Sequence, residues 1–215
     1  MTDKPPVRME ALEGGKDGRR YSSSAGRNQQ EIVNALLAEL PDSGNCLEVA
    51  AGTGEHAVLA ATKLPNWDWL PTDRDPEALA SIAAWTAFAA LPNLKPAAPL
   101  DLAEPWPCAK ASLDAVFACN VMHISPISTT EALFRGATKH LKPNGMLLVY
   151  GPVFLPDEPA PEGNVAFDRD LRQQDPAYGV RHLDQLAELA ALAGLDAPTV
   201  RRMPTNNVLL RLRRP

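Results

Sequence analysis

A short glycine turn between an apolar run and a helical pattern constrains the fold of this chain more than any other feature. Residues 47–57 read Leu-Glu-Val-Ala-Ala-Gly-Thr-Gly-Glu-His-Ala. Gly52 and Gly54 would let the main chain approach a ligand where a Cβ atom would collide. A strand that runs through a Gly-x-Gly turn into a helix is how α/β proteins bring backbone close to a nucleotide-like ligand.

The charges around this turn indicate which ligand it takes. Glu48 and Glu55 bracket the glycines, an unfavourable setting for an anionic pyrophosphate and a favourable one for a cationic sulfonium. The prediction is therefore S-adenosylmethionine. The same residues also satisfy the G-x-G-x-x-A pattern of dinucleotide sites, with Asp73 about 20 residues further on, so NAD stays open as the alternative.

Apolar runs and helical periodicities alternate along the chain. Such alternation indicates an α/β fold with a mostly parallel sheet covered by helices on both faces. We expect a single domain over residues 1–215, with residues 1–27 as a cover over the site and residues 152–180, which begin with a Pro-rich loop over 152–163, as a lid or substrate segment. The predicted strands are 46–50, 67–71, 94–99, 113–119, 146–150 and 208–212, and the predicted helices are 28–40, 55–63, 76–90, 128–141 and 181–193.

Polar residues follow four of the predicted strands, where a parallel sheet binds its ligands. Asp73 is placed to accept hydrogen bonds from ribose hydroxyls, although it could instead cap the next helix. Asp101 and Leu102 could hold an adenine ring, and a capping role for Asp101 is about equally plausible. Asn120 to His123 follow the fourth strand.

Composition and charge disfavour several classes of protein. The net charge of −5 disfavours nucleic acid as a partner. The three cysteines are expected to be reduced thiols. We find neither a signal peptide nor an apolar run long enough for a membrane span, so the expectation is a cytoplasmic protein. No metal site is predicted.

With these residues in view, the chain resembles class I S-adenosylmethionine-dependent methyltransferases over about residues 46–151. The resemblance implies a Rossmann-like, seven-stranded sheet with an antiparallel last strand. Ala50 departs from the usual pattern by replacing its first glycine, which should be tolerated if that position does not need a positive φ. The cofactor residues carried over are Glu48, Ala50, Gly52, Gly54, Asp73, Asp101, Leu102 and Asn120.

More narrowly, the whole chain is similar to the poorly characterised methyltransferase-like 26 family, also catalogued as a domain of unknown function. Besides the glycine turn, the motifs are Asn-Val-Met-His-Ile-Ser-Pro over 120–126, Tyr-Gly-Pro over 150–152, the polar segment 164–176, and Met-Pro-x-Asn-Asn over 203–207. This family brings no established substrate. The function implied is transfer of a methyl group to an unknown, small-molecule acceptor.

Catalytic and substrate residues are predicted less sharply. His123 is the leading general base, because its ordinary pKa suits that role, while a structural role is equally plausible. Tyr150 could lie near the sulfonium or simply pack in the core. Asn164, Asp168 and Arg172 recur at helical spacing, flanked by Arg181, and could face a carboxylated or polar substrate or form a surface ion pair. Arg27 and Asn28 are the candidates in the cover.

Two further classes of function remain open at this point. The chain could bind S-adenosylmethionine, or its product S-adenosylhomocysteine, as a sensor or partner subunit without transferring a methyl group. Less in keeping with the charges, it could be an NAD-dependent oxidoreductase. The sequence leaves the oligomeric state open.

Overall fold

The structure is a computed structural model, and it describes residues 13–215. Six helices surround a central sheet, and a separate two-stranded hairpin precedes the first helix. The strands are β1 (Glu13–Gly14), β2 (Arg20–Tyr21), β3 (Gly44–Val49), β4 (Trp67–Asp73), β5 (Ala98–Pro99), β6 (Leu113–Cys119), β7 (Leu141–Phe154), β8 (Arg181–His182), β9 (Thr199–Met203) and β10 (Asn207–Arg213). The helices are α1 (Ser23–Glu39), α2 (Glu55–Lys63), α3 (Pro76–Ala89), α4 (Ile127–His140), α5 (Glu162–Gln174) and α6 (Leu183–Ala193).

The sheet has the expected seven-strand path, in the order β5-β4-β3-β6-β7-β10-β9. The five strands from β5 to β7 are parallel, while β10 is antiparallel to both of its neighbours. The short strand β8 pairs with the far end of β7 and brings the sheet to eight strands. The predicted fold class, a mostly parallel sheet with an antiparallel last strand, is confirmed.

Alternating side chains of the central strands build two hydrophobic cores, one on each face of the sheet. In β3, Leu47 and Val49 enter one core and Cys46 enters the other. The first core contains residues of α4 and α6, and the second contains residues of α1 and α2. Because both faces are covered, a central strand such as β6 is a nearly continuous apolar run, which is why its bounds could be predicted from the sequence.

Several predicted bounds need correction. Helix α1 begins at Ser23, well before residue 28, because the Ser22 side chain accepts a hydrogen bond from the Ala25 N–H and caps the helix. The third strand shrinks to Ala98–Pro99, since proline cannot donate to a ladder. Pro152 lies within β7, opposite Asn207, rather than in the loop expected over 152–163.

The sequence analysis did not predict strand β9, helix α5 or the two-residue strands β1, β2 and β8. Strand β9 carries exposed polar residues at the edge of the sheet, so it lacks the apolar pattern by which strands are recognised. Helix α5 contains the polar triplet whose helical spacing was noted, and it lies within the segment 152–180 that was expected as a lid or substrate segment.

Of the N-terminal cover expected over residues 1–27, residues 1–12 lie outside the described part of the chain. The described remainder consists of the β1–β2 hairpin and the first turn of α1. Within residues 13–215, every helix is too short or too polar to cross a bilayer.

Asn93 stabilises the connection between α2 and β4. Its buried amide nitrogen lies 2.9–3.1 Å from the carbonyl oxygens of Ala61, Leu64 and Trp67. We expect Asn93→Ala to lower the free energy of unfolding by about 2–3 kcal/mol, because buried carbonyls lose their donor. Denaturant unfolding measures the change. The exposed Asn34→Ala on α1 is the control and should shift stability by less than about 0.5 kcal/mol; equal effects would contradict the assignment.

Candidate active site

The turn after β3 holds three residues in the left-handed region of the backbone. Ala50, Gly52 and Gly54 have φ values of 53°, 59° and 95°. A Cβ atom on Gly54 would approach the Ile82 Cα atom of α3 to 3.1 Å, whereas one on Gly52 would meet nothing within 4 Å. Gly54 therefore permits close packing of the turn on α3, and Gly52 leaves an open space above the strand ends.

Ala50 has a positive φ. Its replacement of the usual glycine was expected to be tolerated if this position did not need a positive φ, and that condition is not met. Its φ of 53° is a conformation that a residue with a Cβ atom adopts only at a cost, of the order of 1 kcal/mol. The chain keeps the turn despite this strain, because the surrounding hydrogen bonds fix it. One of these joins the Ala51 N–H to the Thr72 carbonyl oxygen at 2.9 Å.

A cavity of about 850 Å³ opens at the carboxyl ends of the parallel strands. Its size is within the range of small-molecule sites. Glu48 and Gly54 are the two predicted cofactor residues that do not line it. The six that do are Ala50, Gly52, Asp73, Asp101, Leu102 and Asn120.

Asp73 is fixed at the end of β4 by backbone donors. One carboxylate oxygen accepts from the Gly52 N–H at 2.9 Å, and the other accepts from the Asp75 N–H at 3.0 Å. Burial raises the pKa of Asp73, against the backbone hydrogen bonds that lower it. Each oxygen keeps a lone pair, so this carboxylate can still accept hydrogen bonds from a ligand in the cavity.

Asp101 and Leu102 form the rim of the cavity after β5. The carboxylate of Asp101 accepts from the Ala103 N–H at 3.0 Å, so the turn-capping role is present in the structure. Its side chain is exposed and lines the cavity as well, which leaves the second carboxylate oxygen available to a ligand. The two roles considered for Asp101 are therefore compatible.

Glu48 lies beneath the turn. Its side chain is 1% exposed, and one oxygen accepts from the Trp69 indole N–H at 2.6 Å. Burial raises the pKa of Glu48 to about 8, with the hydrogen bond from Trp69 lowering it and the charge of Asp73 adding to the rise. The carboxyl is therefore largely protonated at neutral pH, so it does not supply the negative charge that the sequence analysis assigned to it.

Glu55 links the glycine turn to the start of the first helix. Its buried carboxylate accepts from the Ser22 N–H at 2.7 Å and from the Thr53 hydroxyl at 2.9 Å. It thereby occupies the first turn of α2, the position in which a dinucleotide site receives its pyrophosphate.

The segment Arg19–Ser22 lies against this turn and forms part of the cavity wall. The Arg20 N–H donates to the Ser81 hydroxyl at 2.9 Å, which in turn donates to the Thr53 carbonyl at 2.8 Å. Arg20 itself lines the cavity and forms an exposed ion pair with Glu77. Sequence analysis placed Arg20 in the expected cover without singling it out, because nothing in a polar segment before a helix marks which residue will face a site.

His123 lies beside the cavity, in a single 3-10 turn after β6. It is 5% exposed, does not line the cavity, and has its ring edge-on to Phe167 with centroids 5.4 Å apart. Burial, assisted by the charge of Arg181, lowers the pKa of His123 to about 4, so the ring is neutral at pH 7. Its role as a general base stays a prediction.

Arg181 joins the connection after α5 to the loop after β6. Its buried guanidinium donates to the carbonyl oxygens of Met122, Ser125 and Ala177, and the Gly179 N–H donates to the His123 carbonyl at 3.0 Å. Both segments line the cavity, through Val121, Ile124, Ser125, Pro126 and Tyr178. Arg181 therefore stabilises one wall of the cavity. Its guanidinium donors are engaged by these carbonyl oxygens and are not available to a carboxylated substrate.

The polar triplet of α5 is also engaged within the protein. Arg172 donates to Asp168 at 2.9 Å, and the other Asp168 oxygen accepts from the Val180 N–H at 2.8 Å. Asn164 is buried and donates to the Asn206 carbonyl at 3.0 Å. The triplet thus supports the wall of the cavity, and none of its members lines it.

The three remaining substrate candidates lie on α1 and β7, and none of them lines the cavity. Arg27 is exposed on α1. Asn28 contacts the ring of His56, with its Oδ1 atom 2.9 Å from Nε2, and its amide opposes the rise that burial causes in the pKa of Tyr150. Asn28 and Tyr150 are therefore brought together, and His56 joins them.

Comparison with solved structures defines the class of this fold, which is that of class I methyltransferases. S-adenosylmethionine-dependent methyltransferase SibL superimposes with a TM-score of 0.72 at 22% identity, over 88% of this chain and 57% of that one. An O-methyltransferase family 2 protein from Planctomyces limnophilus, solved with apigenin, gives 0.74 at 20% identity, over 88% and 59%. At these identities the likeness concerns the fold.

The family follows from the sequence itself. Residues 19–214 match the model described as "Protein of unknown function (DUF938)", and the chain belongs to this family. A local match of 41% identity over 54 residues relates it to the ribosomal RNA small subunit methyltransferase H of Synechococcus sp. strain RCC307. That match covers 25% of this chain and 18% of the relative. The superposition on SibL covers 57% of that protein, so this chain spans only part of the length of both.

The strain at Ala50 can be measured directly. We expect Ala50→Gly to stabilise the fold by about 1 kcal/mol, because glycine adopts a positive φ without a steric cost. Thermal unfolding should then shift upward by about 2–4 °C.

Two alanines provide controls for Ala50→Gly. The exposed Ala90, with a φ of 50° at the end of α3, should respond in the same direction. The exposed Ala83, inside α3, should respond in the opposite direction by about 1 kcal/mol. A drop in stability for Ala50→Gly alone would show that the methyl group makes contacts that outweigh the strain.

Glu48 should make stability depend on pH. Its pKa of about 8 lies above the value near 4.5 of an exposed glutamate, so between these pH values the native state holds a proton that the unfolded chain has lost. Stability must fall as pH rises through this interval, by up to about 1.4 kcal/mol per pH unit.

The variant Glu48→Gln should remove this slope while its amide oxygen still accepts from Trp69. Denaturant unfolding at pH 5 and pH 8 should show the variant close to the wild type at pH 5 and more stable than it at pH 8. The exposed Glu31→Gln is the control and should follow the wild type. Parallel pH profiles for Glu48→Gln and the wild type would contradict a protonated Glu48.

Proposed function

We propose that this protein is an S-adenosylmethionine-dependent methyltransferase that acts on a small-molecule acceptor. The observation that carries the proposal is the convergence of four strand ends on one cavity, where Gly52, Asp73, Asp101 and Asn120 all reach the wall. In a parallel sheet this is the position of a nucleoside-containing ligand. The fold, shared with methyltransferases, supports the same conclusion.

The residues present fit an adenosine group. Asp73 offers free lone pairs to ribose hydroxyls, and the Asp101–Leu102 rim offers a carboxylate oxygen to an adenine amine. The buried carboxylate of Glu55 at the start of α2 opposes a pyrophosphate. These contacts favour S-adenosylmethionine over NAD.

Bound S-adenosylmethionine supplies a methyl group already activated on a sulfonium sulfur. The chain's own residues then have to align the acceptor and exclude water. The wall held by Arg181 serves this purpose, since it joins two segments of the chain around the cavity. If the acceptor must lose a proton, His123 is the residue proposed to receive it.

A polar small molecule is the acceptor class that we favour. Arg172 and Arg181 are both occupied by acceptors within the protein, so neither is available to the carboxylated substrate considered first. The apigenin complex of the Planctomyces protein supports a small organic acceptor. The motifs shared with the methyltransferase-like 26 family support a placement there, within a family that has no assigned substrate.

A binding protein without transferase activity is the second candidate. The observation that favours it is the position of His123, whose ring is buried and outside the cavity wall. Such a protein would bind the cofactor and leave the methyl group in place.

Calorimetric titration with S-adenosylmethionine, S-adenosylhomocysteine and NAD tests the cofactor. We expect saturable binding of the first two and none of NAD. Asp73→Ala should weaken binding at least tenfold, because the ribose loses its acceptor. Asp42→Ala, at an exposed position before β3, is the control and should bind as the wild type does.

Incubation with S-adenosylmethionine labelled on its methyl group and a small-molecule cell extract then separates the two candidates. Label recovered in a new product, and lost in Asp73→Ala, supports a methyltransferase. Tight binding with no labelled product in extracts from several sources would favour the binding protein. Binding of NAD alone would overturn both.

A further inference from the structure

The connection between β5 and β6 contains no helix, and one tryptophan fixes it to the rest of the protein. Of residues 101–112, only Trp106 is buried, and it is 7% exposed. In the described part of the chain, the hydrogen bonds of residues 101–110 stay within this connection. The middle of the connection is therefore held by packing, and mainly by the indole of Trp106.

Gly136 of α4 provides the space in which this indole packs. A Cβ atom on Gly136 would lie 2.5 Å from Cε2 and 2.8 Å from Nε1 of Trp106, closer than a Cβ atom approaches such atoms. A larger residue at position 136 would therefore displace the ring. The indole also stacks on His140, one turn further along α4, with centroids 4.9 Å apart and ring planes 2° apart. All three residues line the cavity.

The indole N–H of Trp106 does not contribute a hydrogen bond to this packing. Its nitrogen is buried and has no hydrogen-bond partner among residues 13–215. A buried tryptophan usually pairs its N–H with an acceptor. The contribution of Trp106 therefore comes from the shape and stacking of its ring, and a phenylalanine at this position should preserve it.

The Asp101–Leu102 rim, which would hold the adenine, lies on the same connection. The Asp101 carboxylate is exposed and accepts one local hydrogen bond, from the N–H two residues on, at 3.0 Å. Before the rim, the Leu100 N–H donates to the Asp73 carbonyl oxygen at 2.9 Å and joins the connection to β4. The position of the rim thus depends on an anchor on each side, Leu100 before it and Trp106 after it.

We propose that Trp106 is a positioning residue for the cofactor. Packed against Gly136, it fixes the Asp101–Leu102 rim so that the Asp101 carboxylate meets the amine of the adenine. Trp106 acts through Asp101, which is the residue that contacts the nucleobase. The inference rests on the proposed function, and it adds the residue on which the choice of nucleobase depends.

The test compares two ligands that differ only at the nucleobase, by calorimetry with the full-length protein. S-adenosylhomocysteine carries the adenine amine, whereas S-inosylhomocysteine has a carbonyl oxygen in its place, which the Asp101 carboxylate repels. We expect the wild type to prefer S-adenosylhomocysteine about tenfold, the size of a hydrogen bond to a charged group. Trp106→Ala should reduce this preference to about twofold, because the released rim no longer fixes the carboxylate. A general loss of stability would instead weaken both ligands equally.

Matched variants separate positioning from folding. Trp106→Phe should keep the preference, since the ring still packs. Gly136→Ala should lower it as Trp106→Ala does, and should have no further effect when added to Trp106→Ala, because the steric conflict exists only while the indole is present. Gly163→Ala is the control and should match the wild type, since a Cβ atom at this exposed position of α5 meets nothing within 4 Å. Thermal unfolding verifies that each variant is folded during the titration.

Three results would overturn the proposal: equal affinity of the wild type for the two ligands, an unchanged preference in Trp106→Ala and Gly136→Ala, or an equal loss for both ligands in these variants. If Trp106→Ala does not fold, Gly136→Ala and Trp106→Phe decide the question. If the wild type binds neither ligand, the proposed cofactor itself is wrong, and that outcome is distinct from a changed preference among the variants.

Discussion

The hydrogen bond between the Asp73 carboxylate and the Gly52 N–H is the interaction on which the site depends. It joins the turn after β3 to the end of β4, so that two neighbouring strands present one continuous edge to the cavity. The turn holds three residues at positive φ, one of them an alanine. Such a backbone is stable only when its surroundings fix it, and Asp73 is one of the groups that does so.

The two glutamates around the turn have different surroundings. Glu48 is enclosed beneath the turn with one indole donor, and burial keeps it largely protonated. Glu55 receives a backbone N–H and a hydroxyl at the start of α2, where the helix dipole favours an anion. The sequence analysis treated both as negative charges beside the ligand, whereas the structure removes Glu48 from the cavity wall.

The two sides of the cavity were predictable to different degrees. The cofactor side follows from local sequence, since six of the eight predicted residues lie at or just after the ends of strands and therefore meet at one sheet edge. The other side depends on residues far apart in sequence, such as Arg181 with Met122 and Ser125. The triplet of α5 was recognised as one helical face, but its partners, Val180 and Asn206, could not be inferred from its spacing.

By itself the sequence determined the α/β class, most strands and helices, and the ligand-binding edge of the sheet, because apolar periodicity and a glycine turn are local properties of a chain. It did not reveal the exposed edge strand β9. This strand has no apolar alternation of its own, and its strand conformation follows from its pairing with β10. Tertiary structure alone decided the protonation of Glu48, the engagement of Arg181 and the meeting of His56, Asn28 and Tyr150. These outcomes depend on burial and on partners brought together by folding, and neither is encoded in the neighbouring residues.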